Sequence, residues 1–161
     1  EKNVFVISSP LLKRNVIDDT KGFYEGLNWV EDWDFYFRCL AQNYDVIYDS
    51  AESSFSFIRV HPTSLSRNKT MMLEQSLIAR TRVKSILEHL TGYKNGPALM
   101  AENNRFVKYL HRLLVNEYAQ KNPSRSRKHL FQFALMDRDY KLVLKTLLLF
   151  LTQKTMTLPE E

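Results

Sequence analysis

The sequence predicts an α/β front portion followed by an all-α back portion, with the change near residue 69. Three observations carry this. Short β-rich apolar runs occupy residues 3–8, 44–48 and 55–60, each bounded by turn-forming residues. From residue 70 onward the apolar residues recur with helical period, in four long segments separated by short loops. The charge also reverses, from −4 over residues 1–60 to +9 over residues 61–161. Regions 1–69 and 70–161 are therefore expected to differ in structure and role.

Residues 3–8 (Asn-Val-Phe-Val-Ile-Ser) read as a buried strand, broken by Ser9-Pro10. A short helix is expected over 11–17, a turn over 18–22, and a connecting turn or helix over 23–27. Asn28 is placed to cap the next helix, with Glu31 three residues on as its capping-box partner. Trp33, Phe37, Leu40 and Ala41 follow helical spacing and define the predicted buried stripe. Asp34 and Arg38 stand at i and i+4 with the acid first, the favourable order, worth a few tenths of a kcal/mol. Residues 44–48 and 55–60 are the remaining predicted strands. A long helix follows over 71–90, stopped by Thr91-Gly92, and Lys94-Asn95-Gly96-Pro97 reads as a loop. Helices are then expected over 98–120, 124–136 and 140–152, with Asn122-Pro123 as cap and first-position proline of the middle one.

The 161 residues suffice for one domain's core, and 44% hydrophobic with 25% charged residues is ordinary for a folded protein. Cys39 is the only cysteine, which excludes an internal disulfide, suits a reducing compartment and reads as a small buried hydrophobe. The most apolar run, 142–151, contains Lys145 and falls short of the roughly 18 residues of a membrane span. Arg125-Ser126-Arg127-Lys128-His129 is the one dense basic cluster. Aromatic residues do not interleave with it as a stacking platform requires, which disfavours nucleic acid. The basic half suits a solvated surface or the anionic face of a membrane. Because the sequence opens on Glu1-Lys2 without Met, it is expected to be a piece of a longer chain.

Chemistry concentrates in Trp29-Val30-Glu31-Asp32-Trp33-Asp34-Phe35-Tyr36-Phe37-Arg38. Adjacent carboxylates on a helix point about 100° apart, so one can cap or bind a partner while the other faces a cleft. A helix N-terminus favours the ionised carboxylate, the form that accepts a proton. It equally favours acids with no task but capping. Trp29 and Trp33 flank the pair and could hold a sugar or another ring. Arg59, His61, Thr63, Ser64, Ser66 and Arg67 form a second polar cluster of the kind that meets phosphate oxygens. For Arg59 the alternative is a salt-bridged strand residue, for His61 a turn residue before Pro62, and for Ser64 and Ser66 turn or cap positions.

These segments resemble a known family. Gly22-Phe23-Tyr24-Glu25-Gly26-Leu27, then Glu31-Asp32-Trp33-Asp34 with Arg38, then Ile58-Arg59-Val60-His61-Pro62-Thr63-Ser64-Leu65-Ser66 look like the second half of a family 2 glycosyltransferase catalytic domain. The resemblance covers roughly residues 3–70 and departs at Tyr24, where the family usually has Asp, and at Phe57, where it often has Tyr. It implies a GT-A fold, here a partial Rossmann-like sheet with a helical C-terminal extension. It also implies an inverting hexosyl transfer from a nucleotide-sugar to an acceptor hydroxyl, as in bacterial surface polysaccharide synthesis. By position Asp32 would be the catalytic base. Glu31, Trp29 and Trp33 would line the acceptor side, and Arg59 and His61 would lie near the donor diphosphate or its metal.

The family holds a divalent ion, Mg or Mn, with an Asp-x-Asp motif. Asp32-Trp33-Asp34 lies on a helix, where i and i+2 point about 200° apart. Asp137-Arg138-Asp139 sits between helices, where acids are ordinary caps. Neither matches a metal site, and with only 4 glycines no Gly-rich phosphate loop is present. The expectation is an acceptor-side fragment that does not bind donor or metal alone. In the longer enzyme its partners would be a nucleotide-sugar and a sugar or lipid-linked acceptor, in the cytoplasm or at the inner membrane face. A different class also fits: a helical interaction or homo-oligomerisation module without catalysis, its apolar surface made by Leu142, Val143, Leu147, Leu148 and Leu151.

Overall fold

The computed structural model describes residues 10–47, 61, 64, 67–90 and 94–159. Among them the chain forms six helices: α1 (Arg14–Thr20), α2 (Glu31–Ala41), α3 (Lys69–His89), α4 (Gly96–Lys121), α5 (Pro123–Asp137) and α6 (Tyr140–Thr152). No strand occurs among the described residues, which overturns the α/β expectation and its partial GT-A sheet. The reason is plain at residues 44–47, which leave α2 as irregular chain. Aromatic and β-branched content makes a strand only where a neighbour pairs with its backbone, and no such neighbour exists among the described residues. The runs at 3–8 and 55–60 lie outside them.

The chain divides into two compact units, Glu1–Tyr93 and Lys94–Glu161. Because α3 packs on α2, the first unit runs past residue 69, where composition alone had placed the boundary. Helix α1 ends in two consecutive left-handed residues, Lys21 (φ 62) and Gly22 (φ 64), a conformation that glycine adopts without penalty. Helix α2 buries Phe35, Tyr36 and Cys39 against Val16, with Tyr44 packed alongside. This corrects the predicted stripe. Leu40 is 46% exposed, and Trp33 and Phe37 are half-buried, their rings stacked at 5.9 Å. Aromatic residues stand on both sides of α2, so spacing alone admitted either face. Contacts from α1 and α3 select the one centred on Phe35.

In the second unit α4 and α5 pair antiparallel around Leu110, Leu114, Val115, Leu130 and Ala134. Asn122 ends α4 and caps α5, its side chain accepting the Arg125 N–H at 3.1 Å, and Pro123 opens α5 as the sequence implies. Gly96-Pro97, expected in a loop, instead begins α4, since a proline in the first turn removes no helical hydrogen bond. Asp139 caps α6 through the Leu142 N–H at 3.0 Å. Beyond α6, Asn116 and Leu158 exchange two hydrogen bonds, at 2.8 and 2.7 Å, which fasten the tail to α4. Among the described residues no helix is long and apolar enough to cross a membrane.

Candidate functional site at the start of α2

Helix α2 begins on strain. Its N-cap position is held by Val30 at φ 56, ψ 20, with no side-chain cap bond. The Asn28–Glu31 capping box therefore does not form. Asn28 instead donates its backbone N–H to Gln75 Oε1 on α3 at 3.0 Å. A β-branched residue in the left-handed region costs about 1–3 kcal/mol and persists only where its surroundings hold it. Here the Val30 carbonyl accepts the Asp34 N–H at 3.1 Å, closing the first turn. The Asn28 bond to α3 fixes the chain just upstream.

Asp34 is the anchor. Its side chain has no exposure to water, and each carboxylate oxygen accepts from a different guanidinium, Oδ2 from Arg38 Nε at 2.8 Å and Oδ1 from Arg82 Nε at 2.9 Å. The i,i+4 pair read from the sequence is thus a buried one, and a third partner arrives from α3. Arg38 also donates to the carbonyls of Thr20 and, at 2.6 Å, Gly22, capping the exposed end of α1. Arg82 lies 3.6 Å over the Tyr24 ring. That ring rests on the backbone of Gly26, where a Cβ would approach it to 2.5 Å. Arg80, also on α3, stacks 4.1 Å over Trp33. One buried carboxylate therefore ties α1, α2 and α3 together beneath the acid pair.

Against this base Asp32 sits in the first turn, partly exposed, its Oδ1 accepting the Trp33 N–H at 2.7 Å. Glu31, Trp29 and Trp33 are likewise partly exposed around it. Tyr36, one turn on, has its phenol pushed up by burial and then by the Asp32 carboxylate, and keeps its proton at neutral pH. Burial likewise raises the Cys39 thiol, so this cysteine is an unreactive core residue. Arg59 lies outside the described residues. His61 is exposed, and its carbonyl accepts the Ser64 N–H at 3.2 Å.

Sequence reasoning missed Val30, Gln75, Arg80 and Arg82. The one available signal was a pair of arginines, Arg80 and Arg82, set between the apolar positions Ala79 and Val83 of a predicted helix. Nothing local indicates that they reach Trp33, Tyr24 and Asp34.

Neither Asp-x-Asp match fits a divalent ion. Both oxygens of Asp34 are engaged by arginines. Asp137 pairs with Lys108, and Asp139 is the α6 cap. Among the described residues no group of three His, Cys, Asp or Glu side chains converges on one point. A shallow groove of 310 Å³, lined by Arg38, Ala41, Gln42, Ser85, Ile86, His89 and Leu90, lies at the opposite end of α2 from Asp32. No family model, curated protein or solved structure matches the chain.

Proposed function

We propose that this chain carries the acceptor-side base of an inverting sugar transferase, with Asp32 as the base. The observation that supports it most is the division of labour between two acids of one helical turn. Asp34 is buried and immobilised by two arginines, while Asp32 stays partly exposed on the platform so formed. A general base needs this rigidity, because a small misplacement of a proton acceptor costs large factors in rate. In the mechanism Asp32 takes the proton of an acceptor hydroxyl as that oxygen attacks the anomeric carbon from the face opposite the leaving nucleoside diphosphate. Trp29 gives apolar surface for a sugar ring, Trp33, stacked by Arg80 and Phe37, braces the acceptor side, and Glu31 orients a hydroxyl. Arg59 and His61 are assigned to the donor diphosphate. No step is assigned to a metal ion from these residues.

The reading places most of the donor pocket and its divalent ion in residues beyond this chain, in a cytoplasmic enzyme of polysaccharide synthesis. The chain alone is expected to give no calorimetric heat with uridine or guanosine diphosphate sugars, and micromolar binding would contradict that placement. The reaction itself is tested by product stereochemistry. The enzyme containing this chain, supplied with α-linked nucleotide-sugars and acceptor, is expected to give β-linked product by proton NMR. An α-linked product would sink the inverting mechanism.

A further inference from the structure

Helix α6 is apolar on the side that faces away from the core. In a small soluble unit the outward face of a helix is ordinarily polar. Thr146 is the buried residue of this helix. Leu144, Leu147, Leu148 and Leu151 are 63, 46, 60 and 81% exposed. They stand at i, i+3, i+4 and i+7 and so form one stripe about 100° wide, centred roughly opposite Thr146. Tyr140, 73% exposed, extends it at the N-terminal end.

The charges beside the stripe are of one sign. Lys141 and Lys145, both exposed, lie about 60–100° to one side of Leu144. Tyr140–Thr152 contains no acidic residue, and Asp139, just before it, is occupied as the cap. We propose that α6 is a docking helix for an anionic lipid surface, lying in the interface with its leucines inserted and its lysines at the headgroups. Leucine gives the apolar burial, and lysine stems can run along the acyl boundary while the ammonium groups reach lipid phosphate. A second copy of this chain is a poorer occupant. Antiparallel stripe-to-stripe pairing about a two-fold axis sets each lysine edge against its own equivalent, and in a parallel pair the opposite flank of α6 likewise offers no carboxylate to meet it. This inference does not depend on the transferase reading.

The test is co-sedimentation of the 161-residue chain with vesicles of phosphatidylcholine containing about one-third phosphatidylglycerol. Binding is expected, weakened about tenfold or more by omission of the anionic lipid and falling with added salt. Leu148→Ser with Leu151→Ser is expected to reduce it about tenfold while leaving the circular-dichroism melt unchanged, since both side chains are exposed. Lys141→Gln with Lys145→Gln should remove the anionic preference and spare the fold. Failure to bind anionic vesicles would overturn the proposal, as would full binding by the leucine variant. A dimer in sedimentation equilibrium that the leucine variant abolishes, without vesicle binding, would assign the stripe to a second copy instead.

Discussion

At Asp34 one carboxylate without access to water is neutralised by two guanidiniums from different helices. Removing one partner leaves a buried charge only half compensated, which typically costs about 3–5 kcal/mol for a fully buried pair. Arg82 is 30% exposed at its side chain, so Arg82→Met is expected to lower the unfolding free energy by less, about 2 kcal/mol in a urea titration. A second residue, His111, contributes to the response to acid. His111 and His129 face each other across α4 and α5 with their Nδ1 atoms 3.0 Å apart, and Tyr118 is stacked on His129 and bonded by Arg125. Burial first, and His129 second, lower the His111 pKa from 6.5 to about 4. The folded state therefore favours the neutral ring. The stability it gives is fully present above pH 6.5 and is lost as pH falls from there through about 4. His111→Phe is expected to flatten that part of a pH series of denaturation midpoints. A slope as steep as that of the parent chain would refute this.

At the scale of elements, the helix ends divide into local and imposed ones. Asn122→Ala removes the side chain that caps α5 and is expected to cost about 1 kcal/mol in thermal unfolding. Such caps were legible in the sequence because each acts within three residues, as does Asp139 for α6. Helices α3 to α6 were legible for the same reason, their apolar periodicity being sustained over many turns. The start of α2 was not. Its cap position belongs to Val30 rather than to Asn28, and its buried face follows contacts with Arg82, 48 residues away from Asp34. Val30→Gly is expected to raise the unfolding free energy by about 1 kcal/mol by relieving the left-handed strain. The run predicted over 44–48 likewise forms no strand over its described residues 44–47, because a strand is a property of two segments and the pattern reports on one.

For the whole molecule, the two units differ in build. The first is built around a strained turn and a buried ion cluster that present Asp32. The second is a helical hairpin with a third helix whose outward face is apolar. Within the motif Glu31-Asp32-Trp33-Asp34, sequence spacing gave Asp34 only an i,i+4 pair with Arg38, whereas burial and the second guanidinium, from Arg82, make it the anchor. The central claim is that these two acids do different things: Asp34 holds the platform and Asp32 moves a proton. It is tested most directly by Asp32→Asn and Asp34→Asn side by side in the enzyme containing this chain, with melting midpoint and sugar-transfer rate measured for both. Asp32→Asn should keep the parent's melting midpoint and lose transfer by about 10²-fold or more, while Asp34→Asn should melt several degrees lower. Normal turnover by Asp32→Asn, or an unchanged melting midpoint for Asp34→Asn, would contradict the assignment.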